Sequence, residues 1–354
     1  MTLLSSPTQH LQSTQPGQAT PASPPGRPGL SLAGQRIRHP RIAAAIEECR
    51  LMLAAGGSAN LLLLCGPTGV GKTTLGDFLV ETELKAEAEA LAAQAGCLPA
   101  IRVEAPASGE REFSWRLFYQ RILHALEGEL DAPRTAYGID PASGRLVRPA
   151  GGQSNRLSGL RTAVERSLRH RGTRFIVVDE AAHLMRQCPP ARLEQQLDTL
   201  KSLSNEYGVQ WVLLGSYDLY DLMTLSGQLA RRAHVVHFGR YREDRADDVR
   251  AFRGCLKSLG QGLPALKDVD LLRYAEVFQQ NTLGCVGTLR SVLQRLELLV
   301  AGRGWSEEVL RTALLTEAQV TQILREIVEG EARIAPGLTR TLAVPRAAPA
   351  RKVA

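Results

Sequence analysis

The sequence lacks several patterns that would place it in a specialised class of protein. No apolar run approaches the length that spans a bilayer, and no basic segment followed by an apolar one opens the chain. No two cysteines form a C-x-x-C pair, and none has the spacing of metal ligands. We therefore predict a cytoplasmic protein without membrane contact, whose thiols are reduced and mostly buried. The cysteines are Cys49, Cys65, Cys97, Cys188, Cys255 and Cys285.

Length and composition are typical of a globular protein with one large domain or two. The chain has 354 residues, of which 44% are hydrophobic, and it contains no internal repeat. Its formal net charge of +7 indicates a polyanionic partner or, alternatively, a solvated basic face.

Both ends of the chain have little apolar surface to bury. Residues 1–34 are rich in Pro, Ser, Gln and Thr, and residues 333–354 are rich in Pro, Ala and Arg. Because such segments cannot bury enough surface to offset their ordering entropy, we predict two disordered tails, the second of them basic. Residues 131–155 are rich in Pro, Gly and Arg, which predicts a long surface loop or insertion.

Between the tails, the hydrophobic pattern changes once. Apolar runs typical of buried strands alternate with helical periodicities over residues 35–240, and only helical patterns follow over residues 241–332. The pattern predicts an α/β fold, an αβα sandwich around a parallel five-stranded sheet, followed by a small α-helical lid. The predicted strands are 61–65, 100–104, 175–178, 209–215 and 233–238.

A first helix is predicted to begin at Pro40, ahead of the first strand. Proline is common at the first position of a helix, where its missing N–H group costs no hydrogen bond. Apolar residues follow at a spacing that we interpret as one buried stripe. These residues are Ile42, Ile46, Cys49, Leu51 and Leu53.

The most specific motif follows the strand 61–65. It fits G-x-x-x-x-G-K-[ST], with Gly66, Gly71, Lys72 and Thr73 at the fixed positions. Such a loop turns its N–H groups toward phosphate oxygens, while the lysine contacts the β- and γ-phosphates and the threonine hydroxyl binds Mg²⁺. An ordinary glycine-rich turn is the alternative, but all the fixed positions are filled. We therefore predict a site for ATP and Mg²⁺ formed by Gly66, Pro67, Thr68, Gly69, Val70, Gly71, Lys72, Thr73 and Thr74.

Two carboxylates end the apolar run 175–178. Ligands in open α/β sheets lie at the carboxyl ends of the strands, so Asp179 and Glu180 are expected beside the phosphate loop. We predict that Asp179 binds Mg²⁺, directly or through water, and that Glu180 polarises the water that attacks the γ-phosphate. The alternative is a solvated acidic turn.

Three further features are weak individually. Ser216 follows the strand 209–215 and is either a phosphate-sensing hydroxyl or a helix N-cap. Arg231 and Arg232 precede the last strand and are either a finger reaching a neighbouring subunit's γ-phosphate or ordinary surface residues. Arg290 ends the stretch 284–290, which opens a helix of the lid, and points back toward the nucleotide or lies at the surface.

Taken in order, these features resemble the AAA+ ATPases, with Walker A, Walker B, sensor 1, arginine finger and sensor 2. Within that superfamily, the stretches 37–41, 178–184, 215–218 and 228–232 look like those of the TniB/TnsC group of transposition ATPases. The resemblance covers about residues 36–300, and the insertion at 131–155 is longer than the group leads us to expect.

The resemblance implies a role for each matched residue. The catalytic base would be Glu180, sensor 1 Ser216 and sensor 2 Arg290. Of the pair Arg231 and Arg232, the finger would be Arg232. The residues near the adenine would be His39 and Pro40.

The resemblance also implies partners. Proteins of this group form ATP-dependent hexameric or heptameric rings or helical filaments on double-stranded DNA, where they mark a target site and activate a separate transposase together with a targeting factor. Candidate DNA contacts are the basic loop 134–156 and the residues Arg111, Arg116 and Arg121, which face the pore in related assemblies. Trp115 and Tyr119 interleave with these arginines, but their helical spacing favours a place in the core.

Three rival functions stay open. A replication initiator or helicase loader of the same superfamily would need a DNA-binding domain after the lid, for which residues 305–331 look too short. A metabolic P-loop kinase would need an acceptor pocket and no arginine acting in trans. A signalling ATPase usually carries a long repeat array, which this sequence does not show.

Overall fold

A computed structural model describes most of the chain between residues 32 and 334. The described residues are 32, 35–55, 61–87, 96–107, 109, 112–126, 138–139, 146–147, 157–186, 190–225 and 231–334. Most of the predicted tails and of the predicted insertion 131–155 lies outside these residues. Leu32, inside the predicted N-terminal tail, is fully buried.

A parallel five-stranded sheet forms the centre of the fold, as the sequence predicts. The strands are β1 (Leu61–Cys65), β2 (Ala100–Glu104), β3 (Gly138–Ile139), β4 (Leu146–Val147), β5 (Phe175–Asp179), β6 (Gln210–Gly215) and β7 (Ala233–His237). The order in the five-stranded sheet is β2-β5-β6-β1-β7, and every neighbouring pair is parallel. Two short antiparallel strands, β3 and β4, lie within the predicted insertion, where sequence reasoning found only loop.

Helices alternate with these strands and are the main regular structure after β7. The helices are α1 (Pro40–Ala54), α2 (Lys72–Ala86), α3 (Trp115–Ala125), α4 (Leu157–Arg171), α5 (His183–Arg186), α6 (Pro190–Tyr207), α7 (Leu222–Leu225), α8 (Ala246–Gly260), α9 (Ala275–Asn281), α10 (Val286–Arg303), α11 (Glu307–Ala313) and α12 (Glu317–Ile334). Short 3₁₀ turns occupy Tyr217–Asp221, Pro264–Leu266 and Leu271–Tyr274. In the part of the chain that the structure describes, no helix combines the length and apolar character needed to cross a membrane.

The sheet is covered on both faces because its strands are apolar on both faces. Side chains alternate along a strand, so Leu61 and Leu63 of β1 face one layer while Leu62 and Leu64 face the other. The first layer contains α3, α4 and α6, and the second contains α1 and α2. This is the αβα sandwich that the sequence predicts.

A second hydrophobic core lies among the helices that follow β7. It is built by apolar side chains of α8, α9, α10 and α11, among them Phe252, Phe278 and Leu293, all fully buried. The buried Leu32 belongs to this core. The helical region predicted after residue 240 is therefore present.

The predicted stripe of α1 is wrong at one position. Ile42, Ile46, Cys49 and Leu53 are buried against the sheet, but Leu51 is 57% exposed. Each residue turns a helix by about 100°, so a side chain two positions from both Cys49 and Leu53 faces away from them.

The described cysteines are free thiols, in agreement with the sequence analysis. Cys49, Cys65, Cys255 and Cys285 are buried, Cys97 is half-buried, and Cys188 lies outside the described residues. Burial raises the pKa of each of the four buried thiols to about 12, so they stay protonated and unreactive at neutral pH.

Candidate nucleotide site

The phosphate loop connects the end of β1 to the start of α2. Gly71 is the N-cap of α2 and has φ of 109°, a left-handed conformation that favours glycine. The loop closes on itself through a hydrogen bond from the Val70 N–H to the Pro67 carbonyl, at 3.3 Å. The remaining residues of the motif, Gly66, Thr68, Gly69 and Thr74, lie along the same loop and the first turn of α2, with Thr68 exposed.

Lys72 lies half-buried inside this loop. Its ammonium donates hydrogen bonds to the carbonyl oxygens of Gly66 at 3.0 Å and Pro67 at 2.9 Å. Burial lowers the pKa of Lys72, and the nearby carboxylates Glu180 and Asp179 oppose that shift. Because an ammonium has three donors, these two bonds leave one donor for an anion.

The acidic pair lies at the carboxyl end of β5, as the sequence predicts. Asp179 is 5% exposed and accepts hydrogen bonds from the Glu180 N–H at 2.9 Å and from the Arg102 guanidinium at 3.2 Å. Glu180 is exposed and has φ of 50°, a conformation that is uncommon for residues other than glycine. Such a backbone outlier is typical of functional sites, where the surroundings hold a side chain in a special direction.

Arg102 is a site residue that sequence reasoning missed. It lies on β2, beside β5, and its guanidinium bridges Asp179 and Asp77, the latter at 2.7 Å. The bridge fixes the Asp179 carboxylate and supplies it with a counter-charge. The available signal was a single arginine inside the otherwise apolar strand 100–103.

Thr73 and Asp179 have the chemistry of a magnesium site. Mg²⁺ prefers oxygen ligands and is usually bound by one or two protein groups together with substrate phosphates. A hydroxyl at the start of α2 and a carboxylate at the end of β5 fit that pattern. Among the described residues, no group of three or more His, Cys, Asp or Glu side chains could hold a metal.

Ser216 lies beside the phosphate loop because β6 pairs with β1. Gly215 is opposite Cys65, and the Gly66 N–H donates to the Gly215 carbonyl at 3.3 Å. Ser216 occupies the N-cap position of the 3₁₀ turn, yet its hydroxyl makes no capping bond and instead donates to Asp218 at 3.3 Å. A cavity of about 220 Å³ lies between Ser216, the phosphate-loop residues Pro67 and Thr68, and α12.

A second, narrower cleft of about 30 Å³ lies on the other side of the loop. It brings together predicted residues from separate segments of the chain. Its lining includes His39, Val70, Gly71, Thr74, Gly287 and Arg290, and Pro40 begins α1 beside it. The Arg290 guanidinium donates to the carbonyl oxygen of Leu32.

His39 is enclosed between the sheet and the helical region. It is 6% exposed, its Nδ1 lies 2.8 Å from the Tyr241 hydroxyl, and its ring stacks on Phe238. Burial, aided by the positive charge of Arg41, lowers the pKa of His39 to about 4. The ring is therefore neutral at physiological pH.

The start of α10 rests directly on the phosphate loop. The Thr288 N–H donates to the Gly69 carbonyl at 2.9 Å. Gly287 is so close that a Cβ atom there would lie 2.5 Å from the Gly69 carbonyl oxygen. The helical region is thus held against the loop by backbone atoms, so a displacement of the loop would also displace the start of α10.

Arg231 and Arg232 lie at the opposite end of the sheet from the phosphate loop. They immediately precede Ala233, which is paired with Leu61 at the start of β1, whereas the loop follows the end of β1. At about 3.3 Å per residue, these ends are roughly 13 Å apart. Both arginines are exposed. They are therefore directed away from the phosphate loop of their own chain.

The structure describes two of the three arginines that are predicted to contact DNA. Arg116 and Arg121 are exposed on α3, and Arg121 donates to the Glu104 carbonyl at 2.8 Å, whereas Arg111 lies outside the described residues. Tyr119 is 2% exposed and belongs to the core, as its helical spacing indicates.

The sheet order, the phosphate loop and the helical region together define a P-loop fold with a candidate nucleotide site. A family model described as the AAA domain matches residues 55–223, and the chain has the AAA+ fold. That match ends before β7, so the sheet's last strand and the helical region extend beyond it.

Solved structures share this fold at low sequence identity. The ORC2 protein of Aeropyrum pernix, solved as ADPNP and ADP complexes, is 15% identical with a TM-score of 0.50, and the match covers 79% of this chain and 69% of that one. Cdc6p of Pyrobaculum aerophilum is 15% identical with a TM-score of 0.50, and that match covers 78% and 67% of the two chains. No curated protein matches the sequence.

The burial of neutral His39 predicts a pH-dependent stability. The folded chain keeps the ring unprotonated down to about pH 4, whereas the unfolded chain binds a proton near the ordinary pKa of 6.5. Unfolding then takes up a proton between these values, so the free energy of unfolding falls as the pH is lowered, by about 2 kcal/mol between about pH 7 and about pH 5 from this group. When the free energy of unfolding is measured with denaturant across this pH range, His39→Gln should lack the part of the pH dependence that His39 contributes. His234→Gln, at a partly exposed histidine beside Glu48, is the control. If the free energy of unfolding of His39→Gln depended on pH as strongly as that of the unchanged protein, the lowered pKa of His39 would be contradicted.

The contact between Gly287 and Gly69 predicts a steric test. Gly287→Ala should push α10 off the phosphate loop, at a typical overpacking cost of about 1–3 kcal/mol of folding free energy. Because the displaced contact is to the loop itself, ATP binding should weaken as well. Gly302→Ala is the matched control, because Gly302 lies on the same helix with no atom within 4 Å of an added Cβ. Isothermal titration with ATP measures both variants. If Gly287→Ala and Gly302→Ala bound ATP with equal affinity, the contact between Gly287 and Gly69 would have no influence on nucleotide binding.

Proposed function

We propose that this chain is an ATPase of double-stranded DNA transactions, in which ATP and Mg²⁺ bind at the phosphate loop and join neighbouring copies of the chain. The observation that carries the proposal is the position of Arg231 and Arg232. They lie at one end of β1 and the phosphate loop at the other, so each triphosphate obtains its arginine from a second copy.

Each residue around the phosphate loop has a role in this proposal. Lys72 binds the β- and γ-phosphates with its remaining donor, and Thr73 and Asp179 hold Mg²⁺, which stabilises the charge on the phosphates when bound. Glu180, exposed beside Lys72, orients the attacking water and accepts its proton. Arg102 keeps the Asp179 carboxylate in place.

The two sides of the loop would recognise different parts of the nucleotide. His39 presents a neutral ring in the narrow cleft, where the adenine would lie next to Pro40, and Arg290 lines the same cleft as sensor 2. Ser216 lines the larger cavity on the other side and would contact the terminal phosphate as sensor 1.

The proposed assembly is a homo-oligomer on DNA, a ring or a helical filament. Its catalytic core would be residues 35–240 and its helical lid residues 241–332. The net charge of +7 and the exposed Arg116 and Arg121 support contact with a polyanion.

The resemblance of the stretches 37–41, 178–184, 215–218 and 228–232 to the TniB/TnsC group supports a specific task. In that task, the assembly selects a target site and recruits a transposase with its targeting factor. Among the described residues, the best-placed acidic pair, Asp179 and Glu180, belongs to the nucleotide site, so DNA cleavage would fall to the transposase.

A replication initiator or helicase loader is the second candidate. It is favoured by the shared fold with proteins named ORC2 and Cdc6p. Stimulation of transposase activity by the chain favours the first candidate, whereas ATP-dependent delivery of a helicase ring onto DNA favours the second.

Mixing two inactive variants tests the arginine in trans. Arg232→Ala should bind ATP but hydrolyse it at least about a hundredfold more slowly. Lys72→Ala should fail to bind ATP but keep its arginine. In mixtures, the arginine of the Lys72→Ala copy meets the ATP of the Arg232→Ala copy, so turnover should partly return. Steady-state phosphate release measures it.

The control for this experiment is Arg250→Ala, at a highly exposed arginine of α8. It should keep wild-type turnover, alone and in mixtures. No recovery at any mixing ratio of Arg232→Ala with Lys72→Ala would contradict an arginine supplied by a neighbouring copy.

A further inference from the structure

The helix α12 packs on the sheet rather than on the helical core that precedes it. Ile327 is 1% exposed and Gly330 is buried, and Ile334 packs against the core of the sheet. This helix lies outside the matched AAA domain at residues 55–223. It returns to the edge of the sheet where the phosphate loop lies, so its contacts there bear on the nucleotide site.

Gly330 packs directly against Tyr217, the residue that follows Ser216. A Cβ atom at Gly330 would lie 2.0 Å from the Tyr217 ring, which is 5% exposed. On its other side, the Tyr217 hydroxyl lies 3.1 Å from Nε2 of His237 at the end of β7. The Tyr217 ring is therefore held between α12 and the sheet.

Ion pairs fasten the same turns of α12 to neighbouring segments. The Arg240 guanidinium donates to Glu331 at 3.0 Å, and each side chain of this pair is 17% exposed. Arg333 pairs with Asp221, the last residue of the 3₁₀ turn that begins after Ser216, at 3.4 Å. Because the Arg240–Glu331 pair is largely shielded from water, loss of either partner would leave a poorly solvated charge.

These contacts place α12 over the cavity beside the phosphate loop. The cavity of about 220 Å³ is lined by Pro67, Thr68 and Ser216 on one side. On the other side it is lined by Ile323, Ile327 and Gly330 of α12. The helix is therefore the wall that faces Ser216 across this cavity.

We propose that α12 is a positioning element that holds Ser216 toward the terminal phosphate, through the contact of Gly330 with Tyr217 and the pair Glu331–Arg240. The inference rests on the proposed function, because it assumes that Ser216 senses that phosphate. The 3₁₀ turn Tyr217–Asp221 has no side-chain cap of its own. Its direction therefore depends on what packs against it, and α12 supplies that packing.

The test compares affinities for a slowly hydrolysed ATP analogue and for ADP, measured by isothermal titration. The ratio of the two affinities isolates the terminal phosphate from the rest of the nucleotide. Ser216→Ala should lower the ratio roughly tenfold, the value of one hydrogen bond to a charged group. Gly330→Ala should lower it to a similar extent, because the added methyl displaces Tyr217. The double variant should be no worse than the more affected single variant, because both changes remove one interaction.

The control is Gly254→Ala, at a glycine of α8 with no atom within 4 Å of an added Cβ, and it should keep the wild-type ratio. A second set of variants tests the same proposal without adding an atom to the tightly packed position Gly330. Glu331→Arg and Arg240→Glu should each lower the ratio, and the two together should restore it by re-forming the pair with exchanged charges.

The outcomes separate the two hypotheses. If Ser216→Ala lowers the ratio while Gly330→Ala and both charge variants leave it unchanged, the role of α12 is refuted and that of Ser216 stands. If Ser216→Ala leaves the ratio unchanged, the phosphate-sensing role of Ser216 fails, and the positioning proposal falls with it. Additive losses in the Ser216→Ala, Gly330→Ala double variant would assign α12 a purely structural role.

Discussion

The partly buried ammonium of Lys72 is the constraint on which the site depends. It is enclosed by the phosphate loop at the end of an apolar strand, and burial lowers its pKa. Carbonyl oxygens of its own loop satisfy two of its donors, and the carboxylates of Asp179 and Glu180 supply negative potential nearby. A shielded cation in a glycine-rich turn favours an anion with several oxygens, which is what a polyphosphate offers.

The elements around this cation link the candidate nucleotide site to the rest of the molecule. On one side, the backbone of α10 touches Gly69, and on the other, α12 faces Ser216 across a cavity. At the far end of β1, Arg231 and Arg232 are exposed and directed outward. In the proposed function, one strand thus connects the face that would bind a nucleotide to the face that would serve a neighbour's nucleotide, which makes assembly and hydrolysis interdependent.

The main features of the fold could be predicted from the sequence, because strands buried on both faces form continuous apolar runs. The strands 61–65 and 100–104 agree to the residue. The phosphate loop and the acidic pair could also be recognised from the sequence, since their chemistry requires particular residues at fixed spacing. Contacts between distant segments could not be predicted from the sequence. The bridge from Arg102 to Asp77 and Asp179, and the return of α12 to Tyr217, depend on tertiary packing that no local pattern encodes. Leu51 had an apolar side chain but the wrong helical face.

The most direct test of the central claim is the mass distribution of the Glu180→Gln protein with ATP and duplex DNA, measured by mass photometry and imaged by electron microscopy. Removing the proposed base should leave ATP bound but unhydrolysed, so the account predicts stable rings or filaments on DNA that require both ATP and duplex. Lys72→Ala in the same conditions should remain unassembled. A Glu180→Gln protein that stays monomeric with ATP and DNA, or that turns over ATP at the wild-type rate, would contradict the account.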